Sequence, residues 1–151
     1  MKQFVWRLQR VLDVRKVEEQ VKKTELLKLT EELTQKRSEL LAQKRVLQEI
    51  IKELNDKEPR ERLREQELFL KHSAQINRHI KELEELVANL ASQQSKKIAE
   101  LVKLRRFREG LEKLRERAKA NFIKQQERLE QKELDEMAAV GFARRTETIP
   151  H

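Results

Sequence analysis

Leucines recur at every seventh position over the first third of the chain, and this spacing constrains the fold more than any other feature. They occupy positions 26, 33, 40, 47 and 54. Leu29 and Ile50 lie at the other apolar position of the heptad, where Lys36 and Gln43 interrupt the row. A seven-residue hydrophobic repeat is the pattern of a helix that pairs with another helix in a coiled coil.

An apolar stripe continues upstream of these leucines at spacings of three and four residues. Its phase differs from that of the leucine row, so we expect an irregular supercoil in this segment. Its members are Phe4, Leu8, Val11, Val14, Val17 and Val21.

The second half of the chain contains two further rows of seven-residue spacing, which predict a helix over residues 75–137. Gly110 lies inside this helix and should cost about 1 kcal/mol relative to Ala. The first row contains Ile76, Leu83, Leu90, Leu104, Leu111 and Ala118, and Lys97 interrupts it. The second row contains Ile80, Val87, Leu101, Phe122 and Leu129, and Gln94, Arg108 and Arg115 interrupt it.

One strong break separates the two halves. Pro59 cannot continue a helix and biases Glu58 toward an extended backbone, and the preceding Asn55 and Asp56 favour turns. We therefore predict an all-α fold, a long two-helix antiparallel coiled-coil hairpin with an overhanging C-terminal helix. A continuous parallel dimer has the same heptad pattern and is the competing architecture. The hairpin would be monomeric.

The predicted hairpin is a single coiled-coil domain over residues 1–151. Its first helix covers about residues 3–56, its turn about 57–69 and its second helix about 70–139. Gly141 is a plausible helix stop, so we expect a frayed tail over residues 141–151.

The composition excludes most other folds and several kinds of site. Two Gly and two Pro are too few for the turns of a sheet, and 41% charged residues exceed the share in an ordinary domain. The absence of Cys excludes a disulfide framework and a thiolate metal site. We find no apolar run of transmembrane length and no signal peptide, and we expect a soluble intracellular protein.

The pairing of the two helices predicts an overhang at their open end. Phe4 should face a residue between about 116 and 126, so the second helix should extend roughly 12 to 22 residues, or about 18–33 Å, beyond its partner. Net charge is concentrated at the same end, with +4 over residues 1–23 and +6 over residues 103–128 of a total of +8. A basic, apolar end requires a partner of complementary chemistry.

No residue pattern indicates catalysis or a cofactor. His72 and His79 are seven residues apart rather than the four typical of a helical metal pair, and Gly110 and Gly141 cannot form a phosphate-binding loop. A two-helix rod also lacks a pocket that could exclude water. We expect no enzyme, no metal and no cofactor.

Three kinds of partner fit the basic end. Arg105, Arg106 and Arg108 could contact nucleic-acid phosphates, and Phe4 and Trp6 could bind a membrane surface. Glutamates interleaved among the basic residues argue against nucleic acid. A protein partner that receives a helix in a groove fits the apolar and basic character better. A generic coiled-coil scaffold or a basic nucleic-acid-binding coiled coil remains the alternative.

Motifs at both ends resemble a known family. The opening Phe4-x-Trp6-x-Leu8-x-x-Val11-Leu12-x-x-Arg15 is similar to the F-x-F-x-L-x-x-V-L-x-x-R pattern of the flagellar export protein FliJ. The segments L-E-K-L-R-E-R at 111–117 and E-L-D-E-M-A at 133–138 resemble two further stretches of that family. The resemblance covers about residues 3–145.

This resemblance implies a fold and a set of partners. Members of the family are antiparallel two-helix coiled coils similar to the gamma-subunit stalk of the rotary F1 ATPase. They bind the hexameric flagellar export ATPase and promote its assembly, contact the export-gate membrane protein and recycle export chaperones. The resemblance therefore implies a non-enzymatic protein of the cytoplasm, peripherally associated with the inner face of the cell membrane at the flagellar base.

The resemblance also implies contact residues at matching positions. For the ATPase these are Phe4, Trp6, Leu8, Arg15, Arg105, Arg106, Arg108, Phe122, Leu134, Asp135 and Glu136. Family members often carry tyrosines where the first helix meets the export gate, and this chain has no Tyr. The nearest positions are Leu40, Lys44, Leu47 and Ile51.

Overall fold

Two long helices make up nearly all of the fold. In a computed structural model, helix α1 covers Gln9–Asp56 and helix α2 covers Pro59–Thr148. The structure describes the backbone of residues 2–148, and their side chains except those of 59, 61–64, 147 and 148. Within this range there is no strand, and the two helices pack against each other in antiparallel directions. The predicted all-α helical hairpin is confirmed.

The connection between the helices is much shorter than the turn predicted over residues 57–69. Only Lys57 and Glu58 lie between the two helices, and Pro59 is the first residue of α2. Proline is favoured at this position because its missing N–H has no helical partner there and its φ angle is already helical. The proline that ends one helix thus begins the next. Lys57 forms an ion pair with Glu65 across this corner.

The first helix begins at Gln9, six residues later than the predicted start at residue 3. Residues 2–6 have no regular structure, and the Gln9 amide donates a hydrogen bond to the Trp6 carbonyl at 3.1 Å. Phe4 and Trp6 are half-buried while Val5 between them is 86% exposed. This alternation is that of an extended chain, which suits aromatic and β-branched residues better than a helix does.

The second helix does not stop at Gly141. It continues to Thr148, and neither glycine of the described residues has a positive φ angle. Gly141 therefore lies in ordinary helical backbone, at a cost of about 1 kcal/mol that neighbouring alanines, among the best helix formers, offset. The predicted frayed tail is wrong over residues 141–148, and residues 149–151 lie outside the described range.

Contacts divide the chain into two units, one of residues 1–17 with 104–151 and one of residues 18–103. In the second unit the predicted heptad rows form the line of contact between α1 and α2, which we call the seam. Its buried apolar residues are Leu33 on α1 and Ile76, Ile80, Leu83 and Leu90 on α2. Seam packing of this kind is what the seven-residue rows predict.

The interrupting polar residues of this unit pair across the seam. Gln94 Nε2 donates to Thr30 Oγ1 at 3.1 Å, and Lys97 Nζ lies 2.9 Å from Glu25 Oε2. Lys22 Nζ lies 3.2 Å from Glu100 Oε2. The hydrogen bond with Glu100 raises the pKa of Lys22, and the hydrogen bond from Lys97 lowers the pKa of Glu25.

The expected change of phase upstream of Leu26 is wrong. The leucine row continues in unchanged register through Glu19 and Leu12, which are only 3% and 1% exposed. Val11, Val14, Val17 and Val21 are instead 40–63% exposed. The reason is that a buried charged residue occupies a seam position, so the apolar stripe visible in the sequence is not the packed face.

Candidate protein-binding end of the hairpin

The candidate site lies in the unit of residues 1–17 and 104–151, where the N-terminal segment and the start of α1 pack on α2. We call the paired part of this unit, residues 2–17 and 104–122, the open end. Its buried centre is formed by Leu12 and Leu111, one from each helix. Polar and aromatic side chains surround this small core, so the site depends on contacts at its edges.

An aromatic pair lies at the outermost part of the open end, next to the overhang. The rings of Phe4 and Phe122 lie 5.6 Å apart between centroids with an interplanar angle of 53°. Arg115 adds a cation on the Phe4 ring, with its Cζ 5.8 Å from the centroid. The Nε atom of Arg115 also donates to Gln9 Oε1 at 2.8 Å. These contacts hold the non-helical N-terminal segment against α2, because tilted aromatic pairs and cation–π contacts are both attractive.

A second cation–π contact lies deeper in the open end, roughly two turns from Arg115 along α2. The Cζ of Arg15 lies 4.6 Å from the centroid of Phe107. Arg15 is half-buried and Phe107 is 48% exposed. An arginine on a seam position can bury its stem and stack its guanidinium at the rim, so a basic residue occupies a position where the heptad pattern calls for an apolar one.

The three arginines predicted to contact a partner differ in their surroundings. Arg108 is half-buried, and its Nη1 lies 3.1 Å from both carboxylate oxygens of Glu112. Arg105 and Arg106 are exposed. Of the three, the side chains at positions 105 and 106 are therefore the ones that lie at the surface of this end.

Beyond Phe122 the second helix extends into solvent. Every residue of 123–146 is exposed except Gln126. These 24 residues span about 36 Å at 1.5 Å per residue, and we call them the overhang. The overhang is somewhat longer than the predicted 12 to 22 residues because α2 continues to Thr148. It carries large apolar side chains in solvent, namely Ile123, Leu129, Leu134, Met137, Val140 and Phe142.

The residues expected to contact the ATPase fall into three groups. Phe4, Trp6, Leu8, Arg15, Arg108 and Phe122 are half-buried in the open end. Arg105 and Arg106 lie on its surface, and Leu134, Asp135 and Glu136 lie on the overhang. All belong to one unit of the chain, but the overhang residues do not touch the N-terminal ones.

The residues expected to contact the export gate belong to the other unit. Leu40 and Leu47 are half-buried in the leucine row, and Ile51 is 42% exposed. Lys44 Nζ lies 3.5 Å from Glu84 Oε1 on α2. The two leucines therefore pack in the hairpin itself, and only Lys44 and Ile51 offer exposed side chains.

Two features of the open end were not expected from the sequence. The stacking of Arg15 on Phe107 and of Arg115 on Phe4 depends on the register between helices, which no short motif encodes. The exposed valines of α1 could have been found by extending the leucine row seven residues at a time from Leu26 to position 19 and position 12, which leaves the valines off the seam.

No three carboxylate or imidazole side chains among the described residues are placed to hold a metal ion. No helix in the described range is long and apolar enough to cross a bilayer.

Comparison with known proteins gives a family match that covers nearly the whole chain. The family described as "Flagellar FliJ protein" matches residues 3–147, nearly the whole chain. No curated protein and no solved structure matches the chain significantly.

Proposed function

The chain belongs to the flagellar FliJ family and is thus a flagellar export-related protein, and from that premise we propose that it acts as the central stalk of the hexameric export ATPase. In this role it binds the ring through its open end and overhang and promotes ring assembly and activity. It carries out no catalysis itself and uses no cofactor.

The observation that carries this proposal is the exposed overhang next to the aromatic and basic open end. We expect an external partner for a helix of about 36 Å that carries several large apolar side chains in solvent, because a contiguous exposed apolar patch usually marks a binding surface. A narrow helix can enter the central hole of a ring, and a partner groove can receive apolar residues spaced three or four apart.

Charge supports a partner of acidic character. Residues 103–128 have ten basic and four acidic residues, and Arg105 and Arg106 are exposed. A cluster of charges of one sign speeds association with a surface of opposite charge and orients the two partners as they meet. We therefore expect carboxylates on the inner surface of the ring where it meets the open end.

The family also suggests contacts away from the ring. We propose that the unit of residues 18–103 contacts the export-gate membrane protein, with Lys44 and Ile51 as the exposed candidates among Leu40, Lys44, Leu47 and Ile51. We further propose that the chain receives empty export chaperones. These roles place the chain in the cytoplasm, at the inner face of the cell membrane beneath the flagellum, and the form that binds the ring is the monomer.

The first test is charge reversal at the open end. The double variant Arg105→Glu and Arg106→Glu should lose most of the stimulation of the export ATPase, because repulsion replaces attraction at the ring. Arg108 is left unchanged, since its reversal would set a carboxylate against Glu112. The measurement is the ATP hydrolysis rate of the purified ATPase with increasing amounts of the variant.

The matched control reverses two exposed arginines of the other unit, Arg37→Glu and Arg45→Glu, which changes net charge by the same amount. It should stimulate like the unchanged chain. Full stimulation by the open-end variant, with unchanged helical content, would overturn the role of the basic surface. Equal loss in both variants would mean that only total charge matters.

The second test removes the overhang. A chain ending at residue 127 retains the Phe4–Phe122 pair and should melt cooperatively like the full chain, yet it should not bind the ATPase ring. Binding is measured by co-sedimentation with the assembled hexamer. Undiminished ring binding would contradict the stalk proposal, and tight binding to nucleic acid instead of the ring would favour the scaffold or nucleic-acid alternative.

A further inference from the structure

The outward side of α1 carries a short apolar and basic surface that the proposed function does not use. Val14 and Val17 are 50% and 63% exposed, and Arg10 precedes them at helical spacing. Residues 10, 14 and 17 lie on one face because three- and four-residue steps return to the same side of a helix. We call these three residues the outer face of α1. It lies opposite the seam residue Leu12.

The overhang carries the same spacing with the opposite charge. Glu133, Met137 and Val140 are exposed and follow each other by four and three residues, as Arg10, Val14 and Val17 do. They continue the face of α2 that packs at Phe122 and Gln126. When residue 10 is set beside 133, residue 14 falls beside 137 and residue 17 beside 140.

The surrounding charge is complementary as well. Residues 7–17 contain four basic residues and one acidic residue, and residues 129–140 contain four acidic residues and one basic residue. The net charges are therefore +3 and −3. Opposite charges that flank matched apolar positions are the device by which coiled coils select partner and orientation.

We propose that a second copy of this chain covers the outer face of α1, and that its overhang is the segment that docks there. The matched register requires the two helices to run parallel. Within one chain α1 and the overhang run in opposite directions, so the contact cannot form intramolecularly. The overhang of the second copy lies parallel to α1 of the first, with Glu133 beside Arg10 and Met137 and Val140 beside Val14 and Val17.

Twofold symmetry produces this contact twice. If the overhang of the first copy lies on α1 of the second, the overhang of the second copy lies in the same way on α1 of the first, as in other isologous dimers. Each contact has only two apolar layers and one charge pair, so we expect a weak dimer with a dissociation constant on the order of 10–100 µM. The dimer covers the overhang that the proposed function assigns to the ATPase.

Charge exchange tests this dimer without any other protein present. The full chain should sediment as a monomer–dimer mixture at low salt, and each of Arg10→Glu and Glu133→Arg should raise the dissociation constant at least tenfold. The combined variant Arg10→Glu with Glu133→Arg should restore it. A monomer at every concentration up to about 1 mM, a dimer that survives both single reversals, or a combined variant that does not recover would each overturn the proposal.

Disulfide trapping gives a second measurement with natural charges, because the chain contains no Cys. The variant Val17→Cys with Val140→Cys should form an intermolecular disulfide on mild oxidation. Residue 140 lies about 33 residues beyond the part of α2 that faces residue 17, or about 50 Å, so no bond within one chain is possible. The control Val17→Cys with Ala139→Cys, whose second thiol lies on another face, should remain reduced.

Equal trapping in the control would overturn the proposal. If the thiol introduced by Val17→Cys is shielded from a thiol reagent only when the export ATPase is added, the outer face belongs to the ATPase, and the dimer is wrong. Because sedimentation and trapping use this chain alone, failure of the dimer leaves the ATPase proposal untouched, and loss of ATPase stimulation leaves the dimer untouched.

Discussion

The ring of Phe4 packs on the ring of Phe122 at a centroid distance of 5.6 Å, and this pair is where the overhang begins. Phe4 lies outside α1, so the contact attaches an extended segment to the side of a helix. The ring of Phe4 also receives the Arg115 guanidinium. Much of the order of the N-terminal segment therefore depends on side chains of α2.

Replacing Phe122 with alanine should lower stability by roughly 1–3 kcal/mol, less than for a fully buried phenylalanine because the ring is half-buried. Chemical denaturation followed by circular dichroism measures the loss. The control Phe142→Ala removes a ring that is 70% exposed on the overhang and should change stability little. An equal loss of stability in both variants would show that the contact between Phe4 and Phe122 does not stabilise the fold.

Replacing Gly110 with alanine should stabilise the chain by about 1 kcal/mol. The glycine lies in α2 with an ordinary helical φ angle, and an added Cβ would meet no atom within 4 Å. The measurement is the melting temperature, which should rise. A fall would mean that the helix bends at this position in a way that needs glycine.

The buried Glu19 should cost stability rather than provide it. Its carboxylate lies 3.7 Å from Lys23 Nζ, and this ion pair stabilises the charged group. The residue is only 3% exposed, so the carboxylate also loses its hydration when the chain folds, which destabilises it. Replacement by leucine should raise stability by about 1 kcal/mol, because it buries an apolar side chain at this position and removes the desolvation cost of the carboxylate, while the 44% exposed Lys23 side chain stays in solvent. Chemical denaturation measures it, with exposed Glu31→Leu as the control.

A loss of stability in Glu19→Leu would instead show that the buried carboxylate is a net stabilising group. The oligomeric state of this variant is a second readout. Because a polar residue at a seam position selects register and partner number, the leucine variant should sediment as a broader mixture of species than the unchanged chain.

The ion pairs of the second unit should make stability depend on pH in a defined window. Hydrogen bonding from Lys97 lowers the pKa of Glu25 below its usual 4.5. A carboxylate with a lowered folded-state pKa stabilises the fold above its unfolded pKa and loses that contribution as pH falls through the folded value. At pH 7 the variant Glu25→Gln should therefore melt below the unchanged chain, and the difference should vanish well below pH 4.5.

Thermal melts at pH 7 and in strong acid check this dependence. Exposed Glu31→Gln is the control for the general effect of replacing a carboxylate with an amide on this helix. A difference between Glu25→Gln and the unchanged chain that persists in strong acid would contradict the role of the Lys97–Glu25 hydrogen bond.

Much of the fold follows from the seven-residue rows alone. Leu33, Leu83 and Leu90 are buried as their rows predict, and Pro59 marks the only break within the described residues. The rows predict these positions because burial in a two-helix seam repeats with the same period as the sequence. The upstream seam was missed because Glu19 occupies a row position, and a charged residue hides a seam from any search for apolar periodicity.

The edges of the candidate site were less predictable. A stack such as Arg15 on Phe107 depends on the register between helices, and a heptad pattern determines that register only to within several residues. The ends of the helices depend on small free-energy differences between single residues. Pro59 is favourable at the first position of a helix, and the cost of Gly141 within a helix is small beside its alanine neighbours.

The two-residue connection at Lys57 and Glu58 also determines an order of folding. Contacts near it close the shortest loops, since Lys57 and Glu65 are only 8 residues apart, whereas Lys97 and Glu25 are 72 apart and Arg115 and Gln9 are 106 apart. Loop-closure entropy grows with this separation. The hairpin should therefore fold from the two-residue connection toward the open end, which should form last and unfold first. The backbone amides of the open end should exchange with solvent fastest.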